Sequence, residues 1–192
     1  MPSIWSVRRY WRKSNMSHFE KQLDSKVVFE GKIISVRHDT VELENGKQGL
    51  REVIAHPGAV VILAVDKGEA FFVKQYRYAV GRELLEVPAG KLEYGEDHRD
   101  AALRELREET GASCERLIYM GQVYPTPGVY NEIFHMYFAD GLSYGEQDPD
   151  EDEFLTAVKI PLDEYGRMIA SGEANDAKSI CIYTMAKARG LI

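Results

Sequence analysis

The chain has 192 residues, 44% of them hydrophobic and 29% charged, with 24 Lys+Arg against 31 Asp+Glu and a net charge of -7. This is globular composition at a length for one ordinary domain or two small ones, which excludes a disordered chain, a collagen-like fibre and a disulfide-stapled miniprotein. The acidic balance argues against a broad cationic nucleic-acid surface; an acidic enzyme acting on phosphates must neutralise them locally, with a metal or a few arginines. Residues 1–15 carry Trp5, Arg8, Arg9, Tyr10, Trp11, Arg12 and Lys13 and no apolar stretch of the kind a secretory signal needs. Residues 1–25 are expected to be a poorly ordered leader, with Met16 as an alternative start and a basic aromatic contact arm as the alternative role. Short β-rich runs follow at 27–29, 33–37 and 40–43. Asn45-Gly46 is a strong hairpin turn because both residues accept positive φ, and 50–55 returns from it. This N-terminal antiparallel unit, 26–56, is too short to bury a core alone, so it must pack on the main body or on a partner chain.

The main domain is expected over 57–192. Residues 59–65 form a continuous apolar run fit for a buried strand, and strands are expected at 70–76, 84–87, 117–124, 133–139 and 154–160. Helical spacing covers 97–110, closed by Gly111, and two further helices are expected at 162–171 and 176–188. The pattern is α/β: a mixed sheet flanked by helices, an α/β sandwich rather than repeated βαβ units. Cys114 and Cys181 make no disulfide framework and read as reduced thiols of a cytoplasmic protein. No apolar run approaches the ~20 residues of a membrane span.

The chemistry concentrates in 90–112, GKLEYGEDHRDAALRELREETGA. On a helical wheel Glu105, Glu108 and Glu109 share one stripe about 100° wide, beside an apolar stripe of Ala102, Leu103, Leu106 and Thr110. Like charges at these spacings repel, and Arg104 or Arg107 can bridge back to them. A hard divalent cation offsets the repulsion better, Mg²⁺ or Mn²⁺ by ligand type. The bland reading is a solvated acidic helix face.

The spacing decides against it. Gly90, Glu96, Arg104, Glu105, Leu106, Glu108, Glu109, Gly111 and Ala112 match G-x5-E-x7-R-E-U-x-E-E-x-G-U, with U aliphatic and Ala112 the softest match. At ordinary residue frequencies such a match arises by chance less than about once in a million chains of this size. The stretch resembles the Nudix box. The resemblance implies a diphosphate-hydrolysing α/β/α sandwich that binds divalent metal through Glu105 and Glu109, with Glu108 in support and the backbone carbonyl of Ala89 as a further ligand. It implies that Arg104 orients these carboxylates and that Glu96 has a structural role. Pro127, sixteen residues after Gly111, resembles the downstream proline of ADP-ribose pyrophosphatases; an ordinary Pro-Gly turn is the alternative. Lys74-Gln75-Tyr76-Arg77 and Arg51-Glu52-Val53 also resemble these enzymes. By that resemblance Arg77 and Arg51 engage diphosphate or adenosine, and Glu132 lies on the substrate side. A glutamate of the acidic run 148–153 then handles the attacking water; Glu151 and Glu153 are the candidates, with Glu151 preferred because Glu153 adjoins a strand. The resemblance further implies a small-molecule nucleoside diphosphate substrate, ADP-ribose first, and a homodimer with a swapped N-terminal unit. Another nucleoside diphosphate, such as a nucleotide sugar or dinucleotide, is the nearest rival; a non-catalytic ligand sensor and a decapping factor are more distant ones.

Overall fold

The computed structural model describes residues 18–149 and 153–192. They divide into two units, one ending at Ala55 and one spanning His56–Ile192. The first is a three-stranded antiparallel sheet of β1 (Lys21–Glu30), β2 (Ser35–Glu42) and β3 (Gln48–Ala55) in that order. Strand β1 begins at Lys21, inside the stretch expected as leader, because its polar residues pair with β2 as readily as its apolar ones do. The runs expected at 33–37 and 40–43 are one strand. Asp39, between them, does not break it: the carboxylate is buried and accepts from Ser25 Oγ (2.6 Å) and Arg37 Nε (2.8 Å). Gly46 sits in the turn at φ 77°, and Asn45 Oδ1 accepts from the Lys47 N–H. Val41 and Ala55 are the buried apolar residues of this unit, whereas Phe19, Leu23, Val27, Val28, Phe29, Ile33 and Leu50 are exposed.

The second unit is built on a mixed seven-stranded sheet. Its strands are β4 (Ala59–Asp66), β5 (Glu69–Arg77), β6 (Arg82–Glu86), β7 (Ala89–Lys91), β8 (Ala112–Val123), β9 (Phe134–Tyr144) and β10 (Leu155–Pro161). The main path runs β10-β5-β4-β9-β8, with β6 on β5 and β7 on β4; β4 and β9 are parallel and the other pairs antiparallel. Buried β4 alternates between two cores, as a strand covered on both faces must. Val60, Ile62 and Ala64 pack with Ala101, Ala102 and Leu106 of helix α1 (His98–Thr110). Val61 and Leu63 pack with Tyr165 of α2 (Leu162–Ser171) and with Ile182, Tyr183 and Ala186 of α3 (Ala177–Ala188). This is the expected α/β/α layering. β8 starts five residues before the expected 117 because its polar first half pairs with the extended end of β9, where Arg116 Nε donates to Asp140 Oδ1 at 2.7 Å. The short β7 was not expected; three residues of Ala-Gly-Lys carry no strand pattern of their own.

Helix α1 starts where Asp97 caps it, accepting from the Arg99 N–H at 2.8 Å, and stops at Gly111 with φ 68°. Its buried arc keeps Ala102, Leu106 and Thr110 of the expected apolar stripe and loses Leu103. Leu103 is exposed, while Ala101, Ala102, Glu105, Leu106, Glu109 and Thr110 are buried. The helix is rotated toward its acidic side, so two glutamates enter the buried face and the leucine leaves it.

Candidate active site

The site is built where β7 meets α1. Arg104, on the helix, gathers three carboxylates. Nε and Nη2 donate to Glu96 (2.9 and 3.0 Å), and Nη1 donates to Glu105 Oε1 (2.7 Å) and Glu108 Oε2 (2.8 Å). Glu96 also accepts from the Glu93 N–H, closing the loop before the helix, and its pKa is lowered, chiefly by the Arg104 hydrogen bonds. The arginine thus offsets the repulsion that the helical wheel predicts.

Glu105 and Glu109 reach consecutive residues of β7. The Ala89 N–H donates to Glu109 Oε2 at 3.0 Å. The carboxylate of Glu105 lies so close to Gly90 that a Cβ there would stand 1.9 Å from its Cδ and Oε1. Both side chains are buried. Burial is the main cause that raises their pKa values, to about 7 for Glu105, where Arg104 opposes the rise, and to about 8 for Glu109, where the Ala89 hydrogen bond opposes it. No group of three or more His, Cys, Asp or Glu among the described residues converges as a metal cage; Glu105 and Glu108 are turned to Arg104. The donor set nevertheless fits a hard divalent cation: two buried carboxylates beside the Ala89-Gly90 backbone, with Glu105 brought against that backbone because residue 90 has no Cβ.

The segment leading to the acidic run is tied to the end of α1. The Gly145 N–H donates to Gly111 O (2.7 Å), the Asp148 N–H to Glu108 O (3.1 Å), and Gln147 Nε2 to Glu109 O. These bonds use carbonyls that a helix C-terminus leaves without partners. Glu153 follows, half-buried, and its charge contributes to the raised pKa of both Glu105 and Glu109. Glu151 lies outside the described residues. Strand β10 starts at Leu155, so Glu153 is one residue further from the strand than the sequence reading assumed.

Arg77 ends β5, and its charge reaches Glu109. Its Nε and Nη2 donate to Glu86 Oε1 and Oε2, both at 2.7 Å. Lys178 of α3 also donates to Glu86 and sits 3.1 Å from Asp176. Sequence reasoning missed Glu86 and Lys178. A lone charge inside the apolar run Leu84-Leu85-Glu86-Val87 was the available signal for Glu86; Lys178, in an ordinary first helical turn, gave none. Glu132 is nearly buried with its Oε1 3.2 Å from His56 Nδ1, and burial raises its pKa while Lys178 opposes the rise. Pro127 stands exposed in the turn after β8. Arg51 belongs to the N-terminal unit, where it holds Glu20 through two hydrogen bonds. The second unit therefore brings together Ala89, Arg104, Glu105, Glu108, Glu109, Glu153 and Arg77, linked by contacts or by charge.

Comparison with known proteins agrees with this geometry. Residues 55–181 match the model of the NUDIX domain, and residues 20–54 match that of the nucleoside diphosphate sugar hydrolase N-terminal domain. The chain is 42% identical over 163 residues to an ADP-ribose pyrophosphatase of Bacillus subtilis, covering 83% of this chain and 88% of that one. It is 40% identical over 164 residues to a methanol dehydrogenase activator of Bacillus methanolicus, covering 84% and 89%. A crystal structure of an ADP compounds hydrolase, 21% identical, superposes with a TM-score of 0.79 over 93% of this chain and 100% of that one, and shares the fold. With the box intact, its helix folded and residues 55–181 matched to the domain, the chain belongs to the Nudix hydrolase family.

Proposed function

We propose that the protein hydrolyses the diphosphate of ADP-ribose to AMP and ribose 5-phosphate, with Mg²⁺ as the working cation and Mn²⁺ as the substitute. The observation that carries this reading is the meeting of Glu105 and Glu109 with Ala89-Gly90, next to the charge of Glu153. The likeness to an ADP-ribose pyrophosphatase supports the substrate. A bound divalent cation supplies charge neutralisation on the non-bridging oxygens and lowers the pKa of the attacking water. The chain's own part is to hold that charge and align the substrate. Glu105 and Glu109, with the Ala89 carbonyl, are the ligands, and Glu108 supports them. Arg104 orients Glu105 and Glu108. Arg77 and Arg51 meet the anionic substrate, with Glu132 and Pro127 on the substrate side. Glu153 or Glu151 takes the proton of the attacking water, and Glu153 has the support of its charge reaching both ligands.

A second reading, hydrolysis of a nucleotide sugar, is favoured by the matched N-terminal domain. A non-catalytic sensor is disfavoured because every carboxylate of the box is intact. We further propose a homodimer through the N-terminal unit, where Val27, Val28, Phe29, Ile33 and Leu50 are exposed. A cytoplasmic location accords with the two free cysteines; among the described residues no helix is long and apolar enough to cross a membrane. The test is a panel of ADP-ribose, nucleotide sugars and dinucleotides, each with Mg²⁺ and with chelator, products identified. AMP and ribose 5-phosphate from ADP-ribose at the highest kcat/KM is the expected result. A higher kcat/KM on a nucleotide sugar replaces the substrate, and full turnover under chelation overturns the metal.

A further inference from the structure

Glu86 is the least exposed acid among the described residues, 1% exposed, at the end of β6. Burial alone would raise its pKa, but hydrogen bonds from Arg77 and the charge of Lys178 outweigh it and hold the carboxyl below the usual range. The Arg77 fork is bidentate, the arrangement that fixes a guanidinium in one orientation. It uses Nε and Nη2. Arg77 Nη1 has no hydrogen-bond partner among the described residues, and the side chain is 39% exposed. The guanidinium is therefore gripped along one edge and open on the other, and its charge reaches Glu109. Lys178 is held on the same carboxylate, and its charge reaches Glu132. The support continues behind: Asp176 takes Lys178 at 3.1 Å and accepts from Ser179 Oγ, and Ser179 Oγ accepts from the Val87 N–H at 2.8 Å. One buried carboxylate thus ties two cations to the frame, one whose charge acts on Glu109 and one whose charge acts on Glu132.

We infer that Glu86 is a positioning residue for the diphosphate-binding face, holding Arg77 by one edge so that Nη1 is presented to an anionic substrate, with Lys178 as the counter-ion that makes the burial tolerable. The inference rests on the reading of the site as one for a nucleoside diphosphate, and on no choice among such compounds. Glu86 makes no contact with substrate; it acts through Arg77. A charge present in the ground state and in the transition state alike is recognised as uniform binding, so its loss falls on KM more than on kcat.

The experiment is a double-mutant cycle of Glu86→Gln and Arg77→Gln, reading KM and kcat for the best substrate of the wild type, the Kd of ADP-ribose under chelation, and the melting temperature. Expected is a KM rise of roughly 10- to 100-fold in Glu86→Gln with kcat within about threefold, and no further rise when the change is added to Arg77→Gln, because residues that act as a unit are not additive. If Glu86→Gln does not fold, Glu86→Asp keeps the charge, retreats by one methylene and takes its place in the cycle. Unchanged KM, or KM losses that multiply in the double variant, overturns the inference and leaves Glu86 as an anchor for α3 only. A wild type that turns over no nucleoside diphosphate overturns the functional reading by itself, and the Kd cycle then judges Glu86. A wild type that neither hydrolyses nor binds overturns both.

Discussion

The carboxylate of Glu105 fills the place where residue 90 would carry a side chain: a Cβ on Gly90 would lie 1.9 Å from Glu105 Oε1. Gly90 has no positive φ, so space, not backbone conformation, demands glycine here. Gly90→Ala must push Glu105 aside or part β7 from α1. Overpacking of this kind costs about 1–3 kcal/mol. We expect kcat to fall at least ~100-fold, since a misplaced ligand forfeits several kcal/mol of transition-state stabilisation. Kinetics beside a thermal melt check it; near-normal kcat would show that Glu105 can move without consequence.

The raised pKa values of Glu105 and Glu109 give the metal-free protein a defined pH dependence. Between about 4.5, the unfolded value, and the folded values of about 7 and 8, the native state binds more protons than the unfolded one. Stability therefore falls as pH rises through this window, and the loss is complete above about pH 8. If the ionised pair holds a divalent cation, as we propose, binding reverses the loss. The melting temperature should rise with Mg²⁺ by several degrees at pH 8 and hardly at all at pH 5, where both carboxyls are protonated. An increment independent of pH would count against these ligands. Glu109→Gln should lose the increment and at least roughly a hundredfold in kcat.

The fold was readable where sequence periodicity and burial coincide. The apolar run of β4, the bounds of α1 with its Gly111 cap and the last two helices stand within a residue or so of their expected places. What escaped was long-range. β7 exists only because β4 lies beside it, and the first half of β8 only because β9 extends to meet it. Leu103 shares the apolar stripe, yet α1 packs on β4 through Ala101, Ala102 and Leu106, a phase that leaves Leu103 exposed and turns Glu105 and Glu109 inward. The box residues were legible because their spacing is strict. The grip of Glu86 on Arg77 joins residues nine apart across a hairpin, and Lys178 comes from ninety-two residues away; no local pattern encodes either.

His135 gives the acid side of the stability curve. Its ring stacks on His98 with centroids 4.1 Å apart, and the Tyr119 hydroxyl lies 3.3 Å from its Nδ1. Burial, and then the charge of His98, lower its pKa to about 4, against a smaller pull from Asp97. The unfolded chain protonates His135 near pH 6.5 and the native chain does not, so this contribution to stability is lost as pH falls from about 6.5 to about 4. In His135→Gln the melting temperature should fall less steeply than in the wild type over that interval, by roughly a few degrees in total. Parallel curves would remove His135 from the account.

Exposed Val27, Val28, Phe29, Ile33 and Leu50 on a three-stranded sheet are a poor match to a monomer in water. Sedimentation at micromolar concentration should show a dimer. A chain lacking residues 1–55 should sediment as a monomer. A full-length monomer with full activity would decide against the assembly.

Glu153 and Glu151 divide the last step between them. If Glu153 takes the proton of the attacking water, Glu153→Gln should lower kcat and kcat/KM together, about 10²–10⁴-fold, while metal and substrate affinity hold. Glu151→Gln should then cost much less. Glu105→Gln differs in kind: it should weaken metal binding itself, because that carboxylate is a ligand in our reading. The charge of Glu153 already raises the proton affinity of both ligands, so Glu153→Gln should also lower the pH at which Mg²⁺ stabilises the protein. A passive surface glutamate would not cause that second effect together with the loss of kcat. Measurement of kcat, substrate affinity and Mg²⁺ affinity against pH for the three variants separates the roles. A collapse of kcat in Glu151→Gln with Glu153→Gln unaffected assigns the water to Glu151. If neither variant loses kcat, the acidic run is solvated surface, and activation of the water falls to the bound cation alone.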